Sequence, residues 1–170
     1  MEKQTTVIAL PRSVLELDRD VVFEFFVFFS RFEYALKRRG FFDGDEKGVA
    51  ANWDQFANSV RGKFRDLDQT AFVAACSYLK MHPPKKQVLH QRALSWKETQ
   101  PGTGESDEAF ITRCVRTVRN NLFHGGKYPV PDGPVSEVAR DHQLLQHCVA
   151  VLDACLALDP DLKRYFQETE

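Results

Sequence analysis

The segment Arg119–His124 (RNNLFH), which is followed by Gly125 and Gly126, holds the residues best suited to chemistry. A guanidinium group binds phosphate through a planar fork of N–H donors and can stabilise charge during phosphoryl transfer. A histidine can move a proton to or from a ribose hydroxyl or a leaving oxygen near neutral pH. Arg119 and His124 therefore suggest chemistry on a phosphate ester. The structural alternative is that both residues only stabilise a helix C-terminus.

A basic stretch surrounds this pair. Between residues 113 and 127 the chain has four basic residues and no acidic residue: Arg113, Arg116, Arg119 and Lys127. The formal net charge of the whole chain is -1, so no global field indicates a nucleic-acid binder. A local basic patch can still bind a polyanion. We therefore predict supporting or substrate-binding roles for Arg116, Asn121 and Lys127.

The position of His124 depends on where its helix ends. Positions five apart on an α-helix differ by roughly 140° around the axis, so Arg119 and His124 would not share a face of a straight helix. Gly125 and Gly126 can adopt the left-handed conformation that ends helices. We therefore expect the helix to end near residues 122–124, with a turn that brings His124 back towards Arg119.

The rest of the chain is predicted to be helical. Apolar residues recur at spacings of three and four, and no segment shows a clean period of two. Helices are predicted over about 12–39, 49–64, 68–81, 85–96, 106–124 and 136–158, with a short last helix that begins at Asp159 and Pro160. Fourteen phenylalanines predict a core or an interface rich in aromatic rings. The sequence thus predicts one all-α domain over residues 1–170, a bundle of five to seven helices whose core spans about 14–158.

Two motifs in this order resemble HEPN domains. The pattern R-x4-H, with Asn120 after the arginine and a glycine after the histidine, resembles the HEPN signature. The first helix adds E-x3-K-R, formed by Glu33, Lys37 and Arg38, which several HEPN groups also carry. The resemblance covers about 14–158, although the segment 40–96 matches nothing particular. It implies a helical bundle that pairs as a homodimer, with each active site drawn from both chains.

The resemblance also implies an activity. Many HEPN domains are metal-independent ribonucleases of toxin–antitoxin, phage-defence or RNA-processing systems, and others are non-catalytic modules that bind nucleotide, RNA or a partner protein. By this comparison Arg119 would hold the scissile phosphate, His124 would act as general acid and base, and Asn120 would orient the pair or the RNA. The ribose 2′-OH would attack and leave a 2′,3′-cyclic phosphate. The expected partners are a second copy, RNA and an antitoxin or other protein, and no cofactor is expected.

Glu33 and Lys37 have two interpretations. They are four residues apart in the Glu-to-Lys order that stabilises a helix. The alternative is that Glu33 anchors the guanidinium of Arg119 while Lys37 or Arg38 contacts the RNA backbone.

The remaining features predict a reduced compartment. Four cysteines lie among apolar neighbours without a Cys-x-x-Cys pair, so they are predicted to be buried rather than bound to metal. Neither the cysteines nor His142 and His147 have the spacing of a metal site. The first ten residues lack an apolar leader segment, and the apolar run 21–32 is too short to span a bilayer. We therefore expect a cytoplasmic protein with no membrane contact.

Overall fold

The computed structural model describes residues 17–124 and 137–168. Within these ranges the chain forms six α-helices, a short 3-10 helix (Phe64–Asp66) and two antiparallel hairpins. In chain order the elements are α1 (Arg19–Arg39), β1 (Phe42–Asp45), β2 (Gly48–Ala51), α2 (Trp53–Ser59), α3 (Thr70–Met81), β3 (Lys85–His90), β4 (Ala93–Glu98), α4 (Asp107–Phe123), α5 (Val138–Leu156) and α6 (Pro160–Gln167). The chain is therefore mostly helical, but the prediction of an all-α fold is wrong.

The long helix α1 forms one side of the core. Asp18 caps its N-terminus by accepting from the backbone N–H of Asp20 at 2.8 Å. Gly40 ends it at a φ of 99°, a left-handed conformation that costs glycine little. Between these ends α1 packs against α5 and α6. The predicted long first helix is confirmed over residues 19–39, but its predicted start near residue 12 is wrong, because Asp18 is an extended N-cap and residue 17 is not helical. Residues 12–16 lie outside the described residues.

Helices α4 and α6 begin at the positions that their N-cap residues predict. The Ser106 hydroxyl accepts from the backbone N–H of Ala109 at 3.3 Å and caps α4. Asp159 likewise caps α6, with Pro160 in the first turn. The face of α4 that carries Phe110, Cys114 and Val118 is buried in the core, as its spacing predicts.

The core is built around stacked aromatic rings. Trp53 of α2 stacks on Phe29 and Phe32 of α1, with ring centroids 5.3 and 5.4 Å apart. Phe32 also meets the edge of Phe56 at 5.6 Å. Because each ring buries a large apolar area, these contacts fix α2 against α1.

Three of the four cysteines are buried, as predicted: Cys114, Cys148 and Cys155. Burial raises the pKa of the Cys114 thiol to about 12, because the thiolate would lose its hydration. Cys76 is partly buried, and burial raises its pKa to about 12 as well. These thiols therefore remain protonated near neutral pH.

Two hairpins replace parts of the predicted helices. Strand β3 pairs with β4 over the full length of both, from Lys85 opposite Glu98 to His90 opposite Ala93. The helix predicted over 85–96 is therefore wrong. The helix predicted over 49–64 is also too long, since β2 covers its start and α2 ends at Ser59.

No helix in the described part of the chain combines the length and the hydrophobicity that a membrane span requires.

Candidate functional site

A polar cavity of about 400 Å³ lies between α4 and the hairpin β3–β4. Four of the residues predicted from the sequence line it: Arg116, Asn120, Asn121 and His124. Five further lining residues were not predicted as site residues: Lys86, Gln87, Thr99, Arg113 and Thr117. Helix α4 thus supplies one wall, while the hairpin and the residue after it supply the other.

The cavity is suited to an anion. Its described lining contains Lys86, Arg113, Arg116 and His124, and it contains no carboxylate. The remaining lining residues carry amide or hydroxyl groups, which can donate hydrogen bonds. A negatively charged ligand would therefore meet donors and cations rather than acceptors that repel it.

Two hydrogen-bonded side chains hold the hairpin region against α4. The Asn121 Nδ2 donates to the carbonyl oxygen of Lys85 at 2.6 Å. Arg113 donates to Glu105 from Nε at 2.8 Å and from Nη2 at 2.6 Å, and it also donates from Nη2 to the carbonyl of Gln100 at 2.8 Å. The same guanidinium lowers the pKa of the Glu105 carboxyl by hydrogen bonding to the charged form. Asn121 and Arg113 therefore shape the cavity.

The side chains of Arg116 and Lys86 form weaker ionic interactions within the described residues than Arg113 does. Arg116 Nη1 lies 3.1 Å from Asp54 Oδ1, but the Asp54 side chain is 86% exposed. Such exposed pairs contribute little, since water competes for both charges. Lys86 is exposed and forms no ion pair within the described residues.

Thr99 is an unusual member of the lining. It is 6% exposed, and its Oγ1 is buried without a hydrogen-bond partner in the described part of the chain. Its backbone N–H donates to the carbonyl of Pro84 at 3.2 Å, which fixes its position beside β3. A buried hydroxyl left without a partner costs roughly 1–3 kcal/mol.

His124 is the C-cap residue of α4. Its backbone N–H donates to the carbonyl of Asn120 at 2.9 Å, and its φ and ψ of -102° and 25° lie outside the α-helical region. The helix ends within the predicted region. Gly125 and Gly126, the expected cause of the turn, lie outside the described residues.

Arg119 lies on a different surface from His124. Its guanidinium packs over the rings of Phe29 and Phe123, at 5.6 and 5.3 Å from their centroids. Its Nη1 donates to Asn120 Oδ1 at 3.1 Å. Arg119 is absent from the described cavity lining. The predicted turn that brings His124 back towards Arg119 is therefore not observed within one chain. Asn120 connects the two residues, because its side chain accepts from Arg119 and its backbone carbonyl accepts from His124.

An exposed aromatic surface surrounds Arg119. Phe26 of α1 contacts Phe123 of α4 with ring centroids 5.4 Å apart, and both are more than 40% exposed. Phe23 and Val27 extend this apolar area along α1. We call these four residues the α1–α4 aromatic surface. Contiguous exposed apolar areas of this kind mark interaction sites on many proteins.

Glu33 does not anchor Arg119. Its Oε1 accepts from the indole Nε1 of Trp53 at 2.9 Å, so this carboxylate satisfies a partly buried donor of α2. Neither Arg119 nor Lys37 forms an ion pair with Glu33.

The other basic residues of E-x3-K-R lie away from the cavity. Arg38 donates to the Tyr34 hydroxyl at 2.7 Å and lies 3.4 Å from Glu168, near α6. Lys37 is half-buried, and neither residue lines the cavity. The proposed RNA contacts of this motif therefore have no support from its position. Lys127 lies outside the described residues.

The lining residues that were not predicted come from two parts of the chain. Lys86 and Gln87 lie in the segment that sequence periodicity assigned to a helix, and Thr99 follows β4, whereas Arg113 and Thr117 lie on the predicted helix α4. The approach of Lys86, Gln87 and Thr99 to α4 depends on the hairpin, whose strands show no clear alternating pattern in the sequence. The described residues contain no group of three or more histidine, cysteine, aspartate or glutamate side chains that could hold a metal ion.

No family model, curated protein or solved structure matches this chain.

Proposed function

We propose that this protein is a metal-independent endoribonuclease of the HEPN type that acts as a homodimer. The observation that carries the proposal is the cation-lined cavity whose described lining includes Asn120 and His124 and no carboxylate, with Arg119 hydrogen-bonded to Asn120. These groups are the ones that cleavage of an RNA phosphodiester requires. The proposed enzyme acts in the cytoplasm, in a toxin–antitoxin, phage-defence or RNA-processing system. An antitoxin or other protein is a further proposed partner.

The chemistry needs a base, an acid and a cation. His124 takes the proton from the ribose 2′-OH, whose oxygen attacks the adjacent phosphorus. The bond from phosphorus to the 5′-oxygen of the next nucleotide breaks, and that oxygen receives a proton. Arg119 holds the phosphate and stabilises the charge that develops on it. The products are a 2′,3′-cyclic phosphate and a free 5′-hydroxyl.

A second copy completes this site. Arg119 and His124 of one chain lie on different surfaces. An active site that contains both groups therefore combines Arg119 of one protomer with His124 of its partner. The partner's His124 takes the proton from the 2′-OH and then donates it to the leaving 5′-oxygen, so one histidine serves as base and acid. The α1–α4 aromatic surface supports this pairing, because it leaves exposed aromatic area immediately around Arg119.

The direct test is cleavage of single-stranded RNA by purified protein, with and without EDTA. We expect cleavage in both conditions, a 2′,3′-cyclic phosphate product and loss of activity in His124→Ala. His90→Ala is the matched control, since His90 is an exposed histidine of β3 that does not line the cavity. Full activity of a folded His124→Ala protein would contradict the role of His124, and a requirement for metal would contradict the mechanism.

The second candidate is a non-catalytic helical module that binds nucleotide, RNA or a partner protein. The absence of Arg119 from the described cavity lining favours it. Binding of RNA without cleavage by the wild-type dimer would select this candidate.

A further inference from the structure

We propose that the cavity between α4 and the hairpin β3–β4 binds the phosphate of a nucleotide through Lys86, Arg116 and Thr99. The inference rests on the proposed function for the class of ligand, and it extends that function to residues that the motif does not contain. It separates a phosphate-binding subsite on the hairpin side from the reacting groups Arg119 and His124.

The hairpin register concentrates positive charge next to the cavity. Lys86 lies directly opposite Lys97 in the ladder between β3 and β4. Side chains of directly opposite residues project from the same face of a sheet, where like charges destabilise the pair. An anion bound at Lys86 would relieve this repulsion.

The two cations of the subsite are available for a ligand. Arg116 can exchange its exposed pair with Asp54 for a phosphate at little cost, because the Asp54 carboxylate then returns to water. Lys86 needs no exchange, since it has no ion-pair partner within the described residues. Arg113 differs from both, because Glu105 and the Gln100 carbonyl occupy its fork. Arg113 therefore positions the wall of the cavity and leaves phosphate binding to the other two.

Thr99 points independently to a ligand. Its buried Oγ1 lacks a partner in the described residues, although the residue lines a cavity rich in polar groups. Because Oγ1 is inaccessible in this structure, a rotation of the side chain must turn the hydroxyl into the cavity before a phosphate oxygen accepts a hydrogen bond from it.

The size of the cavity favours a nucleotide over an inorganic ion. A volume of about 400 Å³ lies within the range of small-molecule sites and exceeds what one phosphate ion fills. The side chains of Gln87 and Asn120 carry amide donors and acceptors suited to a base or a ribose. The phosphate can belong to RNA or to a free nucleotide, since both present the same oxygens.

The test measures binding without cleavage. The probes are a short 2′-O-methyl oligoribonucleotide, which lacks the attacking hydroxyl, together with adenosine 5′-monophosphate and adenosine. Affinities are measured by calorimetry for the wild-type protein and for Lys86→Gln and Thr99→Val. The matched controls are Lys97→Gln, which removes the same charge from the opposite strand, and Thr112→Val, which removes a buried hydroxyl bonded to the Glu108 carbonyl at 2.7 Å.

We expect Lys86→Gln to weaken binding of a phosphate-bearing probe by about tenfold or more, and Lys97→Gln to have a smaller effect. Thr99→Val should weaken binding by at least about threefold without lowering the melting temperature, because it removes a hydroxyl that has no partner in the protein. Adenosine should bind far more weakly than its monophosphate. Preference for the oligonucleotide assigns the phosphate to RNA, and preference for the monophosphate assigns it to a free nucleotide.

The inference is overturned if no probe binds, if Lys86→Gln and Thr99→Val bind as the wild type does, or if adenosine binds as well as its monophosphate. Cleavage assays separate this result from the proposed function. A protein that binds as expected but does not cleave RNA would contradict only the ribonuclease. A protein that cleaves RNA with an unchanged KM in Lys86→Gln would contradict only the phosphate subsite.

Discussion

Asn120 connects Arg119 and His124, the two ends of the R-x4-H motif. Its Oδ1 accepts from Arg119, and its side chain shares the cavity with His124. An adjacent arginine and asparagine on a helix point about 100° apart, which lets the amide reach across from one surface to the other. Asn120 is therefore hydrogen-bonded to both other residues, through its side chain to Arg119 and through its backbone carbonyl to His124.

The substitution Asn120→Asp tests the charge of this site. The carboxylate keeps an acceptor for Arg119 but places a negative charge in a cavity whose described lining has none. We expect KM for RNA to rise about fivefold, because repulsion of the phosphate in a partly exposed site is worth roughly 1 kcal/mol. Asn120→Ala should instead lower kcat, since Arg119 loses its partner. Steady-state kinetics on one RNA substrate measure both, and an unchanged KM in Asn120→Asp would contradict this account.

Glu33 illustrates how a motif residue can have a structural role. Its carboxylate accepts from the Trp53 indole, so Glu33→Ala should lower the free energy of unfolding by about 1 kcal/mol. Glu33→Gln keeps an oxygen acceptor and should change stability less. Urea unfolding of both variants measures the effect, and RNA cleavage should remain in both. Loss of cleavage in a stable Glu33→Gln protein would show that Glu33 belongs to the catalytic site after all.

At the scale of elements, the hairpin β3–β4 determines whether the cavity exists. Its turn is formed by Gln91 and Arg92, both in the left-handed region with φ of 48° and 66°. Asparagine and glycine favour such turns, whereas longer side chains adopt this conformation at a cost.

Replacing the turn should stabilise the hairpin. The double variant Gln91→Asn, Arg92→Gly should raise the free energy of unfolding by about 1 kcal/mol, since glycine pays no steric cost at positive φ. Thermal and urea unfolding measure the change. Nucleotide binding should be retained, because neither residue lines the cavity. A less stable double variant would contradict the turn geometry.

The packing of α3 against α5 should respond to pH. His147 of α5 stacks on Tyr78 of α3 with ring centroids 4.4 Å apart, and burial lowers the pKa of His147 below its ordinary value of 6.5. The folded state thus binds fewer protons than the unfolded state below that pH, so this group's contribution to stability falls as the solution is acidified.

His147→Phe keeps a ring at this position but cannot titrate. We expect the loss of stability between pH 7.5 and 5 to be smaller in this variant than in the wild type, as measured by urea unfolding at each pH. An equal loss in both proteins would mean that protonation of His147 does not destabilise the fold.

The sequence predicted the helices best where caps and apolar spacing agree. Ser106, Asp159 and Pro160 each mark a helix start that the structure confirms. The hairpin at 85–98 was missed because its turn contains Gln91 and Arg92 instead of glycine or asparagine, and because its strands lack regular alternation of buried and exposed residues. Local patterns also could not show which cations face the cavity, since that depends on tertiary packing.

The sequence predicted which helix end carries the Arg119–His124 motif better than it predicted how the two side chains are arranged. The helical spacing indicated that Arg119 and His124 diverge, and the structure shows them on different surfaces. The expectation that a turn reunites them within one chain relied on Gly125 and Gly126, which lie outside the described residues. At the scale of the whole molecule, this divergence makes a second protomer the proposed source of the missing group.

The most direct test of the account is a heterodimer that combines Arg119→Ala in one protomer with His124→Ala in the other. The two chains carry different affinity tags and are purified through both. If each centre takes Arg119 from one protomer and His124 from its partner, the heterodimer has one intact centre. It should then show about half the RNA-cleaving activity of the wild-type dimer, while both variant homodimers are inactive. A folded heterodimer as inactive as the two homodimers would contradict the shared site.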